Sequence, residues 1–188
     1  MRWFWGIAMV LGLAAEMPAE AAIVSNWAYS IETVWTAATP SGNPPWGVDL
    51  TSHVLSWGEY DLSDRSSLTI KTEPSGTVIT YVGSGLPGST YQGDGSTLVH
   101  HNEPVSGTTL TLATLKTSLH LYDPATHAEA SLVPMTLSIQ FKETPNQTPC
   151  AVASATPCRD IFAISAEKLL QNQYFNYAGQ YYYVNLYP

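Results

Sequence analysis

The sequence predicts an all-β protein, a single antiparallel β-sandwich with one short helical turn. Three observations carry this. Apolar residues recur with a period of two over most of the chain. The runs are short, and clusters of Gly, Pro, Asn, Asp and Ser divide them. Only "AEKLLQ" (166–171) has a helical pattern. About nine to eleven such runs favour a sandwich over a barrel, with jelly-roll and immunoglobulin-like topologies both open. No repeat or linker-like stretch interrupts the chain, so residues 22–188 are expected to form one domain.

In chain order, Arg2, the apolar run "IAMVLGLAA" (7–15) and "AEA" (19–21) have the three-part layout of a secretory signal peptide, residues 1–21, cut between Ala21 and Ala22. The apolar run is shorter than the roughly 20 residues that span a bilayer, so no membrane association is expected after cleavage. "NWAYSIETVWT" (26–36) sets Trp27, Tyr29 and Ile31 against Ala28, Ser30 and Glu32. "TPSGNPPWG" (39–47) reads as turn chemistry, its prolines lacking ladder donors. Strand runs follow in "HVLSWG", "SLTIKT", "TVITYV" and "TLVHH", separated by "EPSG", "GSGLPGS" and "GDGS".

The run "TTLTLATLKTSLHLY" (108–122) has Leu110 and Leu112 in one phase and Leu115, Leu119 and Leu121 in the other. One face cannot bury both sets without an extra residue, which predicts a bulge near Ala113 and Thr114. "MTLSIQF" (135–141) alternates cleanly, with Met135, Leu137, Ile139 and Phe141 inward. "DIFAIS" follows a cysteine loop, and "YFNYAGQYYYVNLYP" reads as a hairpin turning at Ala178 and Gly179.

Seven Lys and Arg stand against fifteen Asp and Glu, a net charge of −8. Clustered cations, which nucleic acid and anionic membranes require, are absent from the sequence. Cys150 and Cys158 are the only cysteines, so one pairing exists. In an exported chain they are expected as a disulfide closing "CAVASATPC", which contributes about 2–3 kcal/mol.

The succession of "LSWG" (55–58), "VHHN" (99–102), a long strand, a two-cysteine loop, "DIFAIS" (160–165) and "YFNYAGQYY" resembles the THxN family of exported bacterial proteins, which often carry a PEP-CTERM sorting signal. The resemblance runs from about Leu55 to Tyr182. His100 and Asn102 match the motif's His and Asn, and Val99 replaces its threonine. The chain reaches Pro188 without a Pro-Glu-Pro motif, so the sorting fate of those proteins is not carried over. The resemblance implies export and a β-rich domain, and no established activity.

Strand parity points His100 and Asn102 together and His101 the opposite way. That disfavours a vicinal chelate, and His53, His120 and His127 have no ligand spacing to join it; no metal or other cofactor is predicted. Asp94 in "YQGDGST" reads as a turn rather than a calcium site. Ser84 lacks the flanking glycines of a nucleophile elbow, since Val82 and Leu86 stand there. Glu59, Asp61, Asp64, Glu103, Asp123, Glu129 and Asp160 are available for glycosidase chemistry, but the sequence pairs none of them, so no catalytic residue is assigned. The leading expectation makes His100 and Asn102 a polar latch: Asn102 starts the Glu-Pro turn by an Asx-type bond, and His100 donates to a neighbouring loop carbonyl. A ligand contact there is the second reading.

Alternation buries Tyr182, Val184 and Leu186 and exposes Tyr181 and Tyr183. Cross-strand packing is the ordinary role of such tyrosines; an exposed aromatic contact is the sharper one. Together these readings lead to a secreted, non-enzymatic β-sandwich of the bacterial cell surface or extracellular matrix. It acts by binding or by assembly, with polysaccharide or its own C-terminal strand as the partner considered. A carbohydrate-binding module using exposed aromatics and a secreted hydrolase are the alternatives.

Overall fold

The computed structural model describes residues 22–41, 47–58, 65–84, 87–105, 107–132, 134–154, 158–164 and 171–186. The predicted leader, residues 1–21, and nearly all of the predicted helical turn lie outside them. Gln171, the last residue of that turn, instead opens a strand. The helix among the described residues is a single 3-10 turn, Ser89–Tyr91.

The strands are β1 (Asn26–Pro40), β2 (Val48–Leu50), β3 (Val54–Trp57), β4 (Ser66–Thr72), β5 (Ser75–Ile79) and β6 (Thr97–His101) in the first half. The second half has β7 (Leu110–Tyr122), β8 (Glu129–Ala130), β9 (Met135–Lys142), β10 (Ile161–Ile164), β11 (Gln171–Tyr177) and β12 (Gln180–Leu186). The first sheet has the order β10-β9-β7-β1-β5, with β8 also paired to β7; the second is β2-β3-β4-β6; β11 and β12 form a separate hairpin. The pairs are antiparallel.

The alternation of β1 organises the interior. Trp27, Tyr29, Ile31, Thr33 and Trp35 are buried in succession. Trp35 joins Leu115, Ile139 and Phe141 of the first sheet and Leu55, Trp57 and Leu68 of the second in one core cluster. At the other end of β1, Trp27, Tyr29 and Ile31 are covered by Phe175, Tyr177 and Tyr182 of the hairpin. The rings of these last three meet Trp27 edge-on at 5.1–5.6 Å. The molecule is therefore an all-β sandwich whose second layer has two pieces, a four-stranded sheet and a hairpin. Trp57 and Leu55 are fully buried; each contributes about 2–3 kcal/mol by leaving water. Between the clusters Thr33 is buried without cost to its polar groups. Its N–H donates to Glu73 Oε1 at 2.8 Å, and its hydroxyl bonds those of Ser96 and Thr117.

Two sequence expectations need correction. The strand β1 runs past Thr36 to Pro40, so Thr39 and Pro40 belong to the ladder rather than to a turn. Proline is tolerated there because it ends the strand. The bulge is also displaced. The register passes from Thr39↔Leu112 to Pro40↔Leu110, which leaves Thr111 as the extra residue of β7. Ala113 lies in phase with Leu115, and both are buried. The irregularity opposite Thr114 is carried by Thr36 of β1, between Trp35↔Leu115 and Ala37↔Thr114. The phase change is thus shared between partner strands, and a period count on one strand cannot apportion it.

Candidate functional site

The segments "LSWG", "VHHN" and "DIFAIS", far apart in sequence, meet at one place. β3 delivers Trp57 and β6 delivers His100, whose ring stacks on the indole at 5.8 Å and 12°. Phe141 of β9 and Phe162 of β10 close the imidazole from its edges. His100 Nε2 lies 3.5 Å from Asp160 Oδ2. The side chain of Asp160 is 0% exposed and that of His100 only 19%. His101, on the opposite face of β6, is exposed and pairs with Glu103 at 3.0 Å.

Asn102 points the same way as His100, and its amide donates to the carbonyl of Cys158 at 2.8 Å. Cys158 is disulfide-bonded to Cys150, and its own N–H donates to Asn146 Oδ1. The expected roles are therefore exchanged. Asn102, rather than His100, reaches the loop carbonyl, while the His faces a carboxylate. The turn after Asn102 is fastened instead by Ser66, which donates to the Glu103 carbonyl and accepts from the Glu103 N–H.

The second carboxylate is one that sequence reading passed over, Glu143. It follows Phe141 by two residues, in phase with the inward set of β9. A Glu in step with Leu137, Ile139 and Phe141 was the available signal. The ladder pairs Lys142 with Ile161, so its next step sets Glu143 opposite Asp160. Glu143 Oε2 accepts the Trp57 indole N–H at 3.1 Å, and Asp160 Oδ1 accepts the Thr144 N–H at 2.9 Å. Burial, chiefly, with the neighbouring Asp160 charge, pushes Glu143 up to about 7. Burial likewise raises Asp160. Burial, and then the proximity of His101, lowers His100. The two side chains adjoin, so that a proton held by Glu143 can be offered to Asp160. Glycosidase carboxylates stand about 5–9.5 Å apart to admit sugar or water; a pair bonded to each other leaves no such gap.

The other predicted contact residues lie on the hairpin. Tyr174, Tyr181 and Tyr183 share its outer face at 75%, 86% and 58% exposure. Tyr174 and Tyr183 are cross-strand partners with ring centroids 6.0 Å apart. Sequence reading named Tyr181 and Tyr183 but not Tyr174, which β11 brings beside them. Along the β12 edge runs a cleft of about 460 Å³, with Tyr181 and Tyr183 on one side and Tyr81, Val82 and Tyr91 from the segment after β5. Asp94 is the one charged residue of its described lining.

Among the described residues neither the histidines nor the remaining carboxylates assemble a further centre. Asp123 accepts from the Ala125 N–H and the Tyr177 hydroxyl, fixing a turn and the hairpin. His53 faces Glu73, and His120 Nδ1 lies 2.6 Å from Glu129 in a hollow also lined by Ser118 and Ser131. Among the described residues neither serine hydrogen-bonds that imidazole, and no group of three His, Cys, Asp or Glu is placed to hold a metal. Ser84 accepts the Tyr81 hydroxyl at its carbonyl, while Glu59, Asp61 and Asp64 lie outside the described residues. Among the described residues no helix is long and apolar enough to cross a membrane. Compared with models of protein families, with curated proteins and with solved structures, the chain matches none.

Proposed function

We propose that this chain is an exported, non-enzymatic protein of the bacterial cell surface or extracellular matrix, and that it binds neutral polysaccharide through the outer face of its C-terminal hairpin. One observation carries the reading: Tyr174, Tyr181 and Tyr183 stand exposed together on that face. Their inward neighbours Phe175 and Tyr182 already supply the packing on Trp27, so the outer rings are not needed for the core. Contiguous exposed aromatic surface marks interaction sites. A ring with a hydroxyl offers both an apolar face to sugar C–H groups and a polar edge to sugar hydroxyls.

The adjoining cleft supports the same ligand class. Gln92, Gln180 and Asn185 bring amides among the tyrosines, and its described lining holds no Lys, Arg or His. Such a lining suits an uncharged polymer better than a phosphate or uronate. Export rests on the leader-like residues 1–21 and the THxN resemblance, and the Cys150–Cys158 disulfide accords with an oxidising compartment.

Retention of the mature chain on insoluble neutral polysaccharides, and its retardation in gels containing soluble ones, tests the proposal. Wild-type protein is expected to be retained, and Tyr181→Ala with Tyr183→Ala to weaken retention at least about tenfold, the size of a contact worth 1–2 kcal/mol. Equal retention of wild type and double variant would sink it, as would no retention on any polymer. Assembly is the second reading, favoured by one observation. Among the described residues β12 pairs only with β11, leaving its outer edge open to another strand. Sedimentation at rising concentration should then reveal oligomers, and a monomer throughout the range would dismiss it.

A further inference from the structure

The buried Glu143–Asp160 pair belongs to neither the hairpin face nor its cleft. It sits where the chain leaves β9 and returns as β10, at the root of residues 144–159, the segment that contains the Cys150–Cys158 disulfide. Four contacts hold that root. The Thr144 N–H donates to Asp160 Oδ1, and the Thr144 hydroxyl donates to the Arg159 carbonyl at 3.0 Å. The Trp57 indole donates to Glu143, and Asn102 to the Cys158 carbonyl. Each carboxylate thus has one oxygen satisfied by an N–H. The others, Glu143 Oε1 and Asp160 Oδ2, are buried with no other donor in hydrogen-bonding contact.

Among the described residues no Lys or Arg is seen paired with these carboxylates, and the imidazole of His100, 3.5 Å from Asp160, is a cation only when protonated. Lys142 and Arg159 adjoin the pair in sequence, but both are exposed, and strand alternation turns Lys142 to the other face of β9. His100 is the one titratable group facing it from β6. His101 and Glu103 are paired with each other on the far side of that strand. β3 contributes only the neutral Trp57. Two buried carboxylates without a cation cannot both carry charge cheaply.

We propose that Glu143 and Asp160 form a proton-operated clasp: one shared proton holds the disulfide loop against β3 and β6, and loss of that proton opens the loop root. With the proton, Glu143 donates to Asp160 and the two free oxygens satisfy each other. Without it, two like charges face one another in a site largely withdrawn from solvent. The Thr144, Asn102 and Trp57 contacts are then set against that repulsion. β10 is an edge strand of four residues, so the opening requires no change in the β1–β7 ladder.

Hydrogen exchange on the intact, disulfide-bonded mature chain reads this locally. After correction for the intrinsic pH dependence of exchange, the Thr144, Cys158 and Ile161–Ile164 amides are expected to lose protection about tenfold or more between pH 6 and pH 9. Those of β1 and β7 should hold. Glu143→Gln keeps a donor toward Asp160 and should stay protected across the range. His100→Gln should retain the wild-type transition, because the imidazole is not the switched group. Equal protection at both pH values overturns the clasp, and so does a Glu143→Gln variant that still opens at high pH. If Glu143→Gln does not fold, carboxyl-carbon NMR titration of the wild type decides. The clasp requires coupled steps from the two side chains with one near or above neutrality, and two independent titrations below pH 5 overturn it.

Discussion

At the scale of single residues, the best-defined contact is the one from Asn102 to the Cys158 carbonyl. Removing the amide leaves a part-buried acceptor without its donor, and such a loss costs about 1–2 kcal/mol. Asn102→Ala is therefore expected to lower the melting temperature by about 3–6 °C in a chain of this size. Asn102→Asp should lower it further at neutral pH, since a carboxylate would face a carbonyl and stand near Asp160. Thermal unfolding followed by circular dichroism checks both, and an Asn102→Ala variant melting with the wild type would remove Asn102 from the loop's support. His100 acts differently. Its ring fills space between Trp57, Phe141 and Phe162, so His100→Ala should destabilise mainly by leaving a cavity. Phe at this position would preserve much of the packing, whereas a binding role would be lost with any non-imidazole.

At the scale of elements, the C-terminal hairpin gives the sharpest prediction. Ala178 and Gly179 have φ of 49° and 82°, the positive pair of a type I′ turn, which Asn-Gly satisfies best. Alanine pays for its left-handed conformation, while Asn adopts it more readily. Ala178→Asn should raise stability by about 0.5–1 kcal/mol, seen as a higher urea midpoint at unchanged slope. A lower midpoint would mean that the turn is not the controlling geometry. This hairpin was legible because "YAGQ" sits between alternating aromatics, so turn chemistry and strand phase agree. β6 was legible for the same reason, with "TLVHH" bounded by turns on both sides. The bulge was legible only in existence, because it is divided between Thr36 and Thr111 on two strands. Glu143 was hidden by type rather than by phase: a charged side chain continuing an inward apolar series reads as the end of the strand. Nothing local in Asp160 or Trp57 announced that both would adjoin Glu143 and His100, since only the β9–β10 ladder and the stacking of the two sheets bring them there.

For the molecule as a whole, stability should depend on pH through this buried group. Glu143 is held near 7, above its ordinary 4.5, chiefly by burial. A group raised on folding stabilises fully below its unfolded value and loses that contribution as pH rises through its folded one. Glu143 thus favours the fold at pH 4.5 and ceases to do so by about pH 7, and Asp160, raised for the same reason, acts in the same direction. Solvent screens a half-buried carboxyl, so the loss amounts to about 1–2 kcal/mol. His100 opposes it on the acid side. Burial and His101 hold its imidazole neutral below the ordinary 6.5, so its contribution is present above that value and is lost as pH falls. Urea unfolding at pH 5, 6, 7 and 8 should separate the two slopes. Glu143→Gln is expected to abolish the decline toward pH 8 and leave the acid limb, whereas His100→Gln should do the reverse. If Glu143→Gln and wild type decline in parallel between pH 5 and 8, the carboxyl pair does not govern the alkaline limb. The groups responsible would then have to be sought away from β9 and β10.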